Sequence, residues 1–343
     1  IITSIVLLVY VVMGGAHADI LTDGVQGFIM VLVGLLVTAM FVTGYGSEGG
    51  FSGMIESLRS QDENLIKPLN PENVLYHSWW SVAAIFLAHV PLGMLPHIGN
   101  KLWALKEPTQ RSRFIRLAFS FGLILGMLGL GGIMARAILG EGVNGNQALI
   151  MLFIELFPSW LAALLGVGIL AAVMSTADGL VVSSSQIVAN DIYRLSFVPR
   201  FRGTLSEEEV ERRVLNVSRI STVVIMILCT ILAWNMLDMN VTIIVWIGSG
   251  CMMAAFAGPL ILGSVWPGVT KYGAFAGLIS GGLTFILVFN RAIDPAWFAP
   301  GMLQNAVQWL VIESPNPWSC AAMGELVSVT FTVVVSKLTK PLP

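Results

Sequence analysis

Charge is what this sequence has least of. Only 11% of its 343 residues are Asp, Glu, Lys or Arg, where soluble domains carry about a quarter. With 56% hydrophobic residues and a mean hydropathy of +0.82, the deficit excludes an ordinary soluble domain and points to a polytopic, all-α protein of the lipid bilayer. The net charge of −2, with Lys and Arg in separated clusters, gives no basic surface for nucleic acid. Cysteine is scarce too. Cys229, Cys251 and Cys320 lie in or beside apolar runs at no metal-ligand spacing, and read as small hydrophobes. The loops lack a nucleotide-binding loop, a thiol pair and any hydrolase motif. No nucleophile–base or metal-ligand set converges on one face, so neither an enzyme nor an organic cofactor is expected.

Ile1 stands where a Met would open a reading frame, and the apolar run 1–13 is shorter than the roughly 20 residues a spanning helix needs. "AHAD" at 16–19 mimics a signal-peptide cleavage site, but a basic start is missing and membrane-protein sequence follows throughout. The expectation is a fragment whose first helix is cut. Nine apolar segments follow from hydropathy, at about 1–14, 24–44, 78–98, 114–138, 159–187, 217–235, 241–264, 273–290 and 319–336. Fourteen of the 18 Lys and Arg fall in alternate connections, leaving Arg59, Lys67, Arg136 and Arg291 for the other side. The positive-inside rule places the larger group in the cytoplasm. In the cytoplasmic loop 190–216, Ser206 and Glu209 fit a capping box, which predicts a short surface helix. Residues 145–158 predict a short interfacial helix ending at Pro158, and the outer loop 46–76 a connector or lid.

One helix is polar where it should be oily. In "AAVMSTADGLVVSSSQ", residues 171–186, a charge and several hydroxyls sit at membrane depth, where a charge costs several kcal/mol. At 100° per residue, Gly168, Ala171, Ala172, Ser175, Asp178, Gly179, Val182, Ser185 and Gln186 share an arc of about 140°, with Ile169, Leu170, Val173, Leu180, Val181 and Ile187 opposite. Ser183, Ser184 and Ser185 have a structural account, as packing glue between helices. Ser175 and Thr176 supply adjacent oxygens of the kind a hard cation such as Na⁺ prefers. Asp178 can neutralise a second ion, carry a proton or accept from a serine; its plain account is a buried acid paired with a basic or amide group.

A second helix is broken. "AAIFLAHVPLGMLPHIGNK", residues 83–101, holds Pro91 and Pro96 with Gly93 between them. Such breaks free backbone carbonyls and occur in membranes beside protein or a water-filled cavity, where transporters place substrate sites. His89 lies near the break, either as a substrate contact or as a satisfied structural histidine, and His97 stands near the cytoplasmic end. Asp23, opening the second span, is either a helix N-cap or a relay point for an ion.

These pieces together resemble the sodium/solute symporter family. The longest match is "GILAAVMSTADGLVVSSSQIVANDIYR", 168–194; "GG…TDGVQ" at 14–26, "PHIGNK" at 96–101 and "GVTKYGAFAGLISGG" at 268–282 match further blocks in order. The resemblance implies a leucine-transporter-like fold of two inverted five-helix repeats within a single transporter domain, 1–343. The chain would begin within the fourth helix of the first repeat, with the second repeat at about 78–264 and peripheral helices at about 273–336. It further implies Ser175 and Thr176 as Na⁺ hydroxyl ligands, with the Ala172 carbonyl. Asp178 falls where some members place a hydroxyl of a second sodium site, and Asp23 matches the acid associated with it. Proline-type members carry aromatic residues on the broken helix, where this chain has Ala88 and Leu92, so a differently shaped solute is implied.

The expected function is sodium-coupled symport of a small organic solute, of pantothenate, monocarboxylate or amino acid type, across a cell membrane. Its partners would be Na⁺, the solute and the bilayer. The alternatives are a transporter-like membrane sensor and proton coupling through Asp178.

Overall fold

Prolines and short polar side chains set where the helices of this protein begin, and a computed structural model describes residues 2–103, 105, 107–201, 206–237 and 239–339. In chain order the helices are α1 (Ile2–Thr43), α2 (Gly50–Gln61), α3 (Trp79–Ala88), α4 (Pro96–Trp103), α5 (Pro108–Gly126), α6 (Gly129–Leu139) and α7 (Ala148–Leu156). They continue with α8 (Ser159–Gln186), α9 (Glu207–Trp234), α10 (Val241–Phe256), a single turn α11 (Gly263–Val265), α12 (Lys271–Phe289), α13 (Met302–Glu313) and α14 (Pro317–Leu338). No strand occurs among the described residues. Side-chain oxygens of Ser78, Ser206, Asn240, Thr270 and Asn316 accept from the first free amides of α3, α9, α10, α12 and α14, satisfying donors that lipid cannot.

Seven stretches are long and apolar enough to cross a membrane: Ile20–Thr43, Pro108–Leu139, Ser159–Arg200, Glu207–Trp234, Val241–Val265, Lys271–Phe289 and Pro317–Leu338. They coincide with seven of the nine segments expected. The other two differ. Residues 1–14 do not form a separate crossing, because α1 runs unbroken from Ile2 to Thr43 and contains no proline. Segment 78–98 is a shorter apolar helix, interrupted as its prolines require. The expected loop 190–216 is also partly helical. α8 continues as a wide π-helical segment, Ile187–Phe197, and a short 3₁₀ turn, Val198–Phe201. The predicted surface helix is instead the first turns of α9: Ser206 Oγ accepts from the Glu209 amide at 3.2 Å, and the helix runs on into the sixth segment. α7 ends just before Pro158, as expected. Of the basic residues counted above, Lys106, Arg202 and Lys340 lie outside the described residues.

The chain divides into two compact units: Ile1–Ser57 with Asn100–Asp238, and Leu58–Gly99 with Met239–Pro343. In the first unit α1 packs on α8 and α9. Val33, Val37, Phe153, Ala162 and Leu165 form one buried cluster, and Val181, Val182 and Met226 form another against Leu8. In the second unit α3, α10, α12 and α14 pack around Ala88, Leu95, Met253, Phe285, Trp318 and Ala321. α12 and α14 approach closely because Gly273, Gly277 and Gly281 carry no side chain. A β-carbon on Gly277 would meet Thr332 Oγ1 and lie 2.8 Å from the Ser328 carbonyl oxygen.

One end of this second unit is held by a buried acid. Glu313, 2% exposed, faces His77 Nε2 at 3.1 Å and accepts from Ser78 Oγ at 3.3 Å and Ser319 Oγ at 2.9 Å. His77 Nδ1 faces the Val74 carbonyl at 3.1 Å.

Candidate functional site

The seam between α1 and α8 brings polar side chains into the first unit. Gly168 makes the approach possible, since a β-carbon there would lie 2.7 Å from Val33 Cγ2 and 3.4 Å from Ile29 Cγ2. Along α1, Asp23, Gln26, Ile29 and Val33 recur at helical spacing on one face. Two turns along α8 from Gly168, Ser175 donates its hydroxyl to Asp23 Oδ1 at 2.6 Å. The second oxygen, Asp23 Oδ2, accepts from the Lys101 ammonium in the last turn of α4. The side chains of Asp23 and Lys101 keep 19% and 33% exposure. Gln26, one turn from Asp23, has its amide oxygen buried without a hydrogen-bond partner.

The two neighbouring alcohols part company here. Ser175 faces α1, whereas Thr176 is exposed and donates back to the Ala172 carbonyl of its own helix at 3.2 Å. This follows from the 100° between successive side chains and from the habit of helical threonine of bonding the carbonyl four residues back. Ala172 is half-buried in an uninterrupted stretch of α8. Asp178 is fully buried; Gly179, Val182 and Ser185 of the stripe are buried with it, and so is Ser183 beside them. Val181, expected on the oily back, is buried as well, against Met226 of α9 and Leu8 of α1. Ser185 Oγ bonds the Val182 carbonyl at 2.9 Å, in keeping with a structural part. Asp23 lies in the interior of α1, which removes the N-cap account of this residue.

In the second unit the broken helix is visible at atomic detail. α3 ends at Ala88, residues 89–91 turn, Leu92–Met94 form a 3₁₀ turn, and α4 resumes at Pro96. Ala88 is fully buried in the apolar core, so its side chain has no surface for a solute; it is small because Trp318 and its neighbours fill the space. Leu92 is half-buried against the same cluster. His89 has structural partners: its Nδ1 meets the Ile85 carbonyl at 2.5 Å, and its ring lies 4.4 Å from that of Trp318. Trp318 is in turn 5.6 Å from Trp246. Trp246 lines a cavity of about 450 Å³ with Asn73, Leu75, Asn240, Thr242 and Pro317. These cavity residues lie outside the candidates that the sequence offers, because they come together from segments far apart in the chain. Lys101 and Gln26 were missed as well. Lys101 counted only as a topogenic charge, and Gln26 sits three residues from Asp23 in "TDGVQ", on the same face.

Hard monovalent cations take oxygen ligands, and the seam offers them: two from Asp23, one from Ser175 and the amide oxygen of Gln26. No group of three His, Cys, Asp or Glu suited to a transition metal occurs among the described residues.

Apolar spanning helices that carry a carboxylate and a hydroxyl in their packing seam define a multi-pass membrane protein. The sodium:solute symporter family model matches residues 1–281, and the chain belongs to that family. It is 27% identical over 313 residues to a sodium/pantothenate symporter of Haemophilus influenzae, covering 88% of this chain and 61% of that protein. It is 26% identical over 318 residues to a sodium/pantothenate symporter of Escherichia coli K12, covering 90% and 62%. A sodium/proline symporter of Staphylococcus aureus is 26% identical over 349 residues, covering 99% and 62%. The chain thus spans about three fifths of the length of these relatives.

Proposed function

We propose that this protein is a secondary active transporter that couples Na⁺ entry to uptake of a small organic solute by alternating access. The observation that carries this reading is the Ser175 hydroxyl held on the Asp23 carboxylate within a packed seam of membrane helices. The hydroxyl proton is committed to Asp23, so the lone pairs of Ser175 Oγ remain for a cation, with Ala172 and Thr176 beside it on α8. The related symporters of pantothenate and proline support the same class of solute: small, polar and bearing a carboxylate.

The cavity beside Trp246 fits such a solute in size, and its wall carries Glu72 as well as the two asparagines. Asn73 and Asn240 spend their side-chain oxygens on the Leu75 and Thr242 amides, which leaves NH₂ donors suited to carboxylate or amide oxygens. Coupling is then a linkage: Na⁺ and solute raise each other's affinity by the same factor.

The test is uptake of labelled pantothenate, proline, lactate and other small acids with Na⁺ present or replaced by choline. Saturable uptake that collapses in choline supports the reading. Uptake indifferent to Na⁺ but dependent on pH transfers the coupling to a proton, for which the fully buried Asp178 is the carrier.

A further inference from the structure

The cation that sits on Asp23 in this structure is the protein's own. Lys101 reaches from the last turn of α4 to Asp23 Oδ2, while Ser175 holds Oδ1 at 2.6 Å. The Gln26 amide oxygen is buried one turn away without a hydrogen-bond partner. An ammonium and a sodium ion are both compact monovalent cations that seek oxygen, so the two compete for one seat. A second positive charge there would face the first across a few ångströms, with one carboxylate to share between them. The seat is also not sealed. With Lys101 one third exposed and Asp23 one fifth exposed, the lysine can leave and return without unfolding its surroundings.

We infer that Lys101 is a tethered cation that fills the Asp23 Oδ2 seat beside Ser175 in place of a second Na⁺, and so limits the number of sodium ions bound per cycle. This rests on the sodium-coupled reading above. A lysine suits the part because its charge is a point on a flexible stem and its three donors can be shared among several oxygens. A merely structural pair would predict a less stable variant with unaltered ion binding. A competing cation predicts a change in the number of sodium ions bound.

The experiment is saturation binding of ²²Na⁺ to the full-length purified protein in lipid nanodiscs. Wild type is expected to bind about one Na⁺ per protein at saturation, and Lys101→Gln about two, read from the plateau of the binding curve. Half-saturation should also fall, by about tenfold, once the fixed charge is gone. Lys101→Arg, which keeps a cation, should resemble wild type. The double variant Lys101→Gln with Asp23→Asn should return to about one Na⁺ per protein. Should Lys101→Gln fail to yield folded protein, Lys101→Met keeps the stem and removes the charge. Unaltered sodium affinity and stoichiometry in a folded neutral variant, beside a wild type that binds Na⁺, would overturn this inference alone. A wild type with no saturable ²²Na⁺ binding would overturn the transport reading with it.

Discussion

Ser175 and Thr176 are adjacent in sequence, yet they do different work. The hydroxyl of Ser175 makes a charge-assisted bond to Asp23, of a kind worth about 1.5–3 kcal/mol, whereas that of Thr176 is spent on its own helix at an exposed position. Ser175→Ala is therefore expected to raise the sodium concentration for half-maximal uptake by about ten- to a hundredfold. Thr176→Ala should raise it by less than about threefold, as read from sodium titrations of labelled-solute uptake. Asp178 tests the rival coupling ion: if a proton moves through it, Asp178→Asn abolishes the pH dependence of uptake, and if Na⁺ is the only coupling ion that dependence is unaltered. That Ser175 would have a polar partner was legible in the sequence, because a hydroxyl and an acid at membrane depth need a reason to be there. The identity of that partner was not. Asp23 lies 152 residues away in sequence, and periodicity on one helix carries no information about which face of another it meets. Ala88 shows the converse: a residue picked for its position beside the break proves to be filled in by Trp318, which only packing could reveal.

Helix ends were easier to foresee than helix continuations. The cap at Ser206 and the stop before Pro158 depend on a few neighbouring residues, and both appear where local chemistry puts them. The extension of α8 through Phe197 and the fusion of residues 1–14 with the next segment depend on what the chain does not contain, a proline or a strong cap, and hydropathy does not register that. The contact between α12 and α14 gives a test at this scale. Gly273, Gly277 and Gly281 recur every four residues, and a side chain on Gly281 would strike the Ala254 carbonyl oxygen and lie 2.7 Å from Ser328 Cβ. Gly281→Val should cost about 1–3 kcal/mol, the usual penalty for overfilling a packed interior. It should show as a lower midpoint in a thermal melt of detergent-solubilised protein. An unchanged midpoint for Gly281→Val would mean that the two helices separate at no cost.

At the scale of the whole molecule, the distribution of basic residues sets the orientation in the bilayer. It involves no residue before Arg59, so the fusion of the first two segments leaves it intact. Alkaline phosphatase fused after Asp294 should be active, and after Lys271 inactive; the reverse pattern would invert the protein in the membrane. Asp23, at the start of the span Ile20–Thr43, and Lys101 then belong near the cytoplasmic side of the bilayer, and Glu313 with His77 near the external side. Glu313 ties the entry to α3, the end of α13 and the start of α14 through three side chains. Pro315 and Pro317, which border the Trp246 cavity, lie in that tied segment. That side of the cavity is braced by the Glu313 hydrogen bonds. Binding there has little disorder left to remove, so calorimetry should find a small entropic penalty, and Glu313→Gln should enlarge it while loosening deuterium exchange at residues 314–320.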